Sequence, residues 1–305
     1  YDGTSRFAQG PRWGFFPSAS IGWRISEEPF FESAKAYVNN FKIRYSYGSL
    51  GNQQVSNYYY LDTISTSGMS YTFDGVNQAF KATASDPKSS SLTWETVVTN
   101  NIGLDMSFLR SRLTFSGDFY IRDTRNMLTA AMTLPESYGA TEPKENAADL
   151  RTIGYELSLG WRDHRMVAGS ELSYGVSASL GDYKTVITRF ENESKLLSSH
   201  YVGETLGEIW GYTTDGLFKT DEEAAAYMAE INDKNVSKGI YGGAAPNNVL
   251  MAGDLKYKDL NGDKAINSGD NTLDNPGDRR VIGNSLPRYT YSIKGDLSWY
   301  GVDLS

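Results

Sequence analysis

Residues 98–122 read VTNNIGLDMSFLRSRLTFSGDFYIR. Val98, Ile102, Leu104, Met106 and Phe108 are apolar and alternate with Thr99, Asn101, Asp105 and Ser107. After the short break Leu109-Arg110-Ser111-Arg112, the residues Leu113, Phe115, Phe119 and Ile121 alternate with Thr114, Ser116, Asp118 and Arg122. Side chains on a strand point to opposite faces in turn, so this period of two predicts a pair of strands joined by a tight turn. Each strand has one apolar and one polar face.

Five more segments repeat the pattern. Trp13, Phe15, Ala19, Ile21, Trp23 and Ile25 alternate with Gly14, Ser18, Ser20, Gly22 and Arg24, which predicts a strand over 13–25. Phe41, Ile43, Tyr45 and Tyr47 alternate with Lys42, Arg44 and Ser46. Ile153, Tyr155, Leu157, Leu159 and Trp161 face away from Glu156 and Ser158, and Leu172, Tyr174, Val176, Ala178 and Leu180 away from Ser173, Ser177 and Ser179. Tyr289, Tyr291, Ile293, Leu297 and Trp299 oppose Thr290, Ser292, Lys294, Asp296 and Ser298, and Val302-Asp303-Leu304 begins an eighth segment.

A soluble β-sandwich also alternates. Three features favour a membrane β-barrel. The segments run about 9–13 residues, longer than the common globular strand and matched to a tilted membrane strand of about 9–11. Aromatic residues lie near the ends of the apolar faces (Trp13, Trp23, Phe108, Trp161, Tyr289, Trp299), where a girdle forms at the lipid–water boundary. The connections are also asymmetric. Leu109–Arg112, Arg162–Ser170 and Tyr300-Gly301 are short, and Ser26–Asn40 takes the remaining place on that side. The opposite rim carries loops 49–94, 123–152 and 183–288, far beyond the usual loop of about 4–6 residues. Short turns on one rim and long loops on the other describe outer-membrane barrels, whose long loops lie outside the cell.

The composition agrees with this reading. Lys and Arg number 29 against 37 Asp and Glu, a net charge of −8, which argues against nucleic acid as a partner. There is no Cys, so disulfides and thiolate sites are excluded. No apolar run approaches the roughly 18 residues of a spanning helix, and Tyr1-Asp2-Gly3-Thr4 has neither the basic start nor the apolar stretch of a signal peptide. Aromatic residues make up 13% of the chain, with 21 Tyr and 6 Trp. Seven strands and the start of another do not close a barrel, so the chain reads as an internal piece of a longer protein.

Within the 183–288 loop, residues 220–231 read as a short helix capped by Thr220 or Asp221, with Ala224, Tyr227, Met228 and Ile231 on one packing face. Downstream, Asp259, Asn261 and Asp263 match the D-x-[DN]-x-[DN] opening of a calcium loop, in which alternate oxygens converge on a hard cation. Ala265 through its carbonyl, Asn267 and Asp270 would complete the ligand set of a structural Ca²⁺. Lys264 stands where an EF-hand has Gly, and Asp270 where it has a bidentate Glu. The alternative is an Asx- and Gly-rich turn without metal. The aromatic runs Tyr58-Tyr59-Tyr60 and Tyr71-Thr72-Phe73 either stack on a substrate or continue two strands above the membrane. The residues predict no enzyme. His164 and His200 lie in different connections, and neither a phosphate-binding Gly loop nor a G-x-S-x-G elbow is present.

Several stretches resemble the barrel strands of SusC/RagA-type TonB-dependent transporters. They are Tyr1–Phe7, Arg12–Ser18, Gly22–Glu28, Lys42–Gly48 with Gly51–Gln53, and Trp94-Glu95 with Asn101–Asp105. The resemblance continues through Gly253-Asp254, Asp259–Asp263, Gly277–Asn284 and Pro287–Tyr289. In that family the acidic stretch often has a second Gly where this chain has Lys264. The resemblance implies an all-β fold: part of a 22-stranded antiparallel transmembrane barrel in the outer membrane of a Bacteroidetes-type Gram-negative bacterium. Residues 1–305 would be barrel without the N-terminal plug. The resemblance further implies import of glycans, peptides or other oligomeric nutrients, a SusD-like lipoprotein lid, and energy from a TonB complex reached through the plug. Arg44, Asp105, Asp118, Arg122, Glu156, Lys294 and Asp296 would face the lumen. A passive porin-like channel and a secreted carbohydrate-binding β-sandwich are the rival readings.

Overall fold

The computed structural model describes all residues except 73–74, 76–77, 90, 131–136, 138–142 and 233–248. Phe73 therefore lies outside the described residues. The strands are β1 (Asp2–Gly3), β2 (Trp13–Gly14), β3 (Ser18–Arg24), β4 (Val38–Asn52), β5 (Ile64–Thr72), β6 (Gln78–Ala84), β7 (Glu95–Phe108) and β8 (Leu113–Ala130). They continue with β9 (Lys144–Val167), β10 (Ser170–Arg189), β11 (Glu208–Tyr212), β12 (Thr214–Leu217), β13 (Leu255–Tyr257), β14 (Arg279–Asn284), β15 (Thr290–Trp299) and β16 (Val302–Leu304), and one α-helix, α1, spans Asp221–Glu230. The chain forms two compact units, Tyr1–Glu191 with Arg288–Ser305, and Asn192–Pro287.

The first unit is built on one antiparallel sheet of eight strands in the order β3-β4-β7-β8-β9-β10-β15-β16. Each strand pairs with the next sheet strand along the chain. The alternation seen in sequence survives across the whole ladder, because the register aligns like with like. One rung runs Trp23–Ile43–Leu104–Gly117–Leu157–Leu180–Tyr291, and the next Phe41–Met106–Phe115–Leu159–Ala178–Ile293. The opposite face carries rungs such as Lys42–Asp105–Ser116–Ser158–Ser179–Ser292.

Among the described residues, no protein layer covers the apolar face. Ile21 is 71% exposed and Ile293 75%, and Phe119, Leu159 and Val176 are also exposed. Soluble monomers rarely leave so continuous an apolar surface bare. Among the described residues no helix is long and apolar enough to cross a membrane, which leaves the strands as the only elements with that capacity.

The short rim is tighter than the sequence suggests. β9 continues to Val167 and β10 starts at Ser170, so Arg162–Ser170 is mostly strand and the turn is Ala168-Gly169. Ala168 and Gly169 have φ of 49° and 83°, and Tyr300 and Gly301 have 52° and 79°, the paired positive values of a type I′ hairpin. Leu109, Arg110 and Ser111 are all left-handed as well.

Two boundaries differ from expectation. The strand expected over 13–25 breaks at Pro17, which has no N–H for the ladder. β2 pairs with β1, Phe16 turns onto Trp94, and β3 begins only at Ser18. Ile25, expected on the apolar outer face, instead starts a 3₁₀ turn (Ile25–Glu27) and is buried. On the long rim, residues 49–52, 123–130, 144–152 and 183–189 belong to strands. The connections there are 53–94, 131–143 and 190–289, shorter than the loops read from sequence. The strands extend because cross-strand ion pairs replace apolar contacts at their tips. Asp123 is held by Arg151 (2.7 Å) and Asp149 by Arg189 (2.9 Å).

Buried apolar clusters are small. In the first unit Phe7, Val55, Leu92 and Trp94 gather with Phe16, Tyr59 and Leu128 against them. In the second unit, Thr220 caps α1 by accepting from the Glu223 N–H at 3.2 Å, while the Glu223 carboxylate accepts from the Lys219 N–H at 2.9 Å. The expected helix face is the packed one. Ala224, Tyr227 and Met228 lie on Phe218 and Leu250, and Ile231 on Tyr257 and Ile266.

Candidate functional site

The polar face of the sheet concentrates charge at one place. Register puts Arg44 of β4 opposite Gly103 of β7, which in turn faces Asp118 of β8. With no side chain at Gly103, the guanidinium crosses the intervening strand. It donates to Asp105 at 2.7 and 3.1 Å and to Asp118 at 3.1 Å. Asn101 donates to Asp118 at 2.8 Å and Ser116 to Asp105 at 3.0 Å. One cation thus ties three strands through charge-assisted bonds, the strong class of hydrogen bond. Arg44, Asp105 and Asp118 are expected polar-face residues. Asn101, Ser116 and Gly103 join them only through the register, which a single segment does not reveal.

Of the other expected polar-face residues, Glu156 lies opposite Asp118 in the ladder, while Arg122 and Asp296 stand apart from this network. Arg122 lies over the Tyr120 ring at 5.5 Å. Asp296 is 3.7 Å from Arg162 beside a cavity of about 280 Å³ that also meets Arg112 and Ser177. Thr152 and Thr185 share a hydrogen bond of 2.8 Å, as do Ser179 and Ser292.

The tyrosines divide by role. Tyr58, Tyr59 and Tyr60 form a turn rather than a strand, with Tyr58 left-handed (φ 55°) and exposed. Tyr59 packs on the Phe7–Trp94 cluster with Lys88 Nζ 4.6 Å over its ring. The Tyr60 hydroxyl accepts from Arg12 at 3.1 Å. Tyr71 lies on β5, which pairs only with β6, and is exposed. So Tyr58 offers an open ring and Tyr71 is exposed on its hairpin, whereas Tyr59 and Tyr60 are held by the fold. Arg12, Lys88 and Trp94 complete this region; Arg12 and Trp94 fall in the family-like stretches of the sequence, and nothing there marks Lys88.

The acidic turn is satisfied by its own backbone. Asp259 accepts from the Gly262 and Lys264 N–H groups at 2.6 and 2.9 Å. Asp263 accepts from the Ala265 N–H at 2.8 Å and the Asn261 side chain at 3.0 Å, and these two contacts, the side-chain one foremost, hold its carboxyl below the usual range. Asn267 accepts from the Gly269 N–H, and Asp270 from the Asn275 amide. The Lys264 ammonium, at the departing position, reaches Glu230 at 3.3 Å. Beneath them Asp278, fully buried, accepts from the Leu260 and Asn267 N–H groups at 2.8 Å each. Among the described residues no group of three or more His, Asp or Glu side chains is arranged to hold a metal ion.

Known proteins share this architecture. TonB-dependent receptor P39 of Formosa agariphila is 26% identical over the whole chain, which spans 30% of that protein's length. TonB-dependent receptor SusC of Bacteroides thetaiotaomicron is 32% identical over 164 residues, covering 52% of this chain and 16% of SusC. A structure of the RagAB peptide transporter superposes on 99% of this chain, and on 29% of its own, with a TM-score of 0.67 at 19% identity. The chain therefore spans less than a third of these relatives. The family model described as TonB dependent receptor-like, beta-barrel matches residues 1–304. With its paired faces, its antiparallel meander and this match, the chain belongs to the TonB-dependent receptor-like β-barrel family.

Proposed function

We propose that these residues form wall and outer loops of an outer-membrane, SusC-like TonB-dependent importer of oligomeric nutrients. The observation that carries this reading is the eight-strand sheet with one broad, exposed apolar face and one polar face. Lipid suits the first and water the second, because every strand between the two edges has its backbone groups paired in the ladder. Long insertions share one rim with the exposed rings of Tyr58 and Tyr71, so that rim is the substrate-facing end. A relative named for SusC and a structural neighbour described as a peptide transporter support an oligosaccharide or peptide cargo. The same likeness supports a SusD-like lipoprotein partner on the long rim and coupling to TonB through a plug. We read the Asp259–Asp278 turn as a metal-free brace within its own loop unit, since its oxygens already accept backbone hydrogens.

Protease treatment of intact cells tests the topology. Cuts within 53–94 and 190–289, with the Leu109–Arg112 and Ala168-Gly169 turns spared, are expected. Cuts confined to those turns would reverse it, and full recovery of the protein in a detergent-free soluble fraction would end the membrane reading.

A further inference from the structure

The apolar face ends in steps on β8, β9 and β10. The rungs Leu113–Trp161–Val176, Phe115–Leu159–Ala178 and Gly117–Leu157–Leu180 are apolar throughout. The next two, Phe119–Tyr155–Asp182 and Ile121–Ile153–Lys184, each admit one charge, and Asp123–Arg151–Val186 admits two. From the Trp161 rung to the Arg151 rung is about ten residues, roughly 34 Å along a strand. At a tilt of roughly 40° that becomes about 25 Å of height, the thickness of a barrel's apolar band. Single charges enter on the Tyr155 and Ile153 rungs, in the upper part of that span, and the doubly charged Arg151 rung closes it at the long-loop rim.

A cavity of about 510 Å³ opens on this face at that level. Phe119, Ile153 and Tyr155 line its apolar side, and Arg151, Asp182 and Lys184 its polar side. The carboxylates are already engaged. Asp123 receives two bonds from Arg151, at 2.7 and 3.0 Å, and one from Arg125 at 3.3 Å. Asp182 is clasped by both guanidinium arms of Arg288. Lys184 has no partner among the described residues. Arg125, Arg151, Lys184, Arg189 and Arg288 meet Asp123, Asp149 and Asp182 here, which leaves an excess of positive charge above an apolar slot.

We propose that this cavity binds a phosphate-bearing lipid of the outer leaflet, its phosphate on Lys184 and Arg151 and an acyl chain laid along Tyr155, Leu157 and Leu180. The proposal rests on the membrane reading of the apolar face. The vertical order of groups matches such a lipid: hydrocarbon below, anion at the boundary. The cavity opens on the face opposite the Arg44 network, so a cargo crossing the polar side does not reach it. An ammonium with no partner among the described residues is free to give its bonds to a phosphate oxygen, and basic side chains at a membrane surface attract anionic headgroups.

The test uses the full-length protein extracted from its own outer membrane in mild detergent, with bound lipid counted by native mass spectrometry and phosphorus assay. About one phosphorylated lipid per copy should survive washing. Lys184→Glu should lower that retention about tenfold and Lys184→Arg should preserve it, because both basic side chains bind phosphate. Inorganic phosphate at millimolar concentration should not displace the lipid. Wild-type retention in Lys184→Glu, a retained lipid without phosphate, displacement by free phosphate, or a protein seated on this face would each overturn the proposal. Outer-membrane fractionation and heat-modifiable migration are scored on every variant. Loss of both in the wild type refutes the membrane reading, whereas their persistence without bound lipid refutes only the lipid site.

Discussion

The guanidinium of Arg44 lies so close over Gly103 that a Cβ on that glycine would sit 2.5 Å from Arg44 Cζ. Gly103→Ala should therefore push Arg44 off Asp105 and Asp118 and leave two carboxylates facing each other. Bonds to charged groups contribute about 1.5–3 kcal/mol, and this pair is about one-third exposed, so a loss near the lower end is expected. The full-length barrel should unfold at lower temperature in a heat-modifiability assay. Arg44→Lys should lose nearly as much, since an ammonium cannot span both carboxylates.

Trp94 stands edge-on to both Phe7 and Phe16, with ring centroids 5.6 and 5.2 Å away. Trp94→Ala should cost about 3–5 kcal/mol locally, as a buried aromatic leaves a cavity. Limited proteolysis should then cut faster within 53–94 while the ladder between β8 and β9 stays protected.

Asp278 accepts two backbone N–H groups with no exposure to water. Asp278→Ala should orphan both and loosen residues 259–279, at about 1–3 kcal/mol for each unpaired group. Chelator or added calcium should leave the amide exchange of the wild-type turn unchanged. Protection that appears only with calcium would contradict the metal-free reading.

The Asp263 carboxyl is held below its usual range first by Asn261 and then by the Ala265 N–H. A depressed folded value means the contribution is fully present above the unfolded carboxylate value of about 3.9 and is lost as pH falls through the folded one. Amide exchange of 259–267, corrected for intrinsic rate, should stay constant from about pH 7 to 5 and rise only below about 4. Asn261→Ala should move that onset to higher pH.

Much of the sheet is legible in the residues because a period of two survives wherever one face meets an apolar phase. Phe41–Tyr47 and Leu113–Arg122 are strands for that reason. The pattern fails where the environment changes. Above the apolar band the strands keep their ladder but exchange Ile and Phe for Asp123, Arg151, Asp149 and Arg189, a composition that reads as loop. At the other extreme, Trp13–Ile25 keeps its alternation in sequence although Pro17 interrupts the backbone. The Arg44 network was half visible, as charges on one face. Its closure depends on register and on an absent side chain at Gly103, neither of which a local pattern encodes. Nothing in the run Tyr58-Tyr59-Tyr60 separates the exposed ring from the two held by Lys88 and Arg12.

The unit Asn192–Pro287 separates β10 from β15, strands that are direct neighbours in the sheet. Closing an unstructured loop of about a hundred residues costs roughly 4 kcal/mol in chain entropy, and each tenfold shortening recovers about 2. This insert pairs its own first strand, β11, with its last, β14, and also joins Leu196, ahead of β11, to Thr272, ahead of β14. Once it has folded, the sheet meets a short tether instead of a long coil. The β10–β15 seam therefore costs less chain entropy to close after the insert has folded than before it. A substitution that slows the insert's folding would delay that seam and leave the β10 edge open to other chains while the wall assembles.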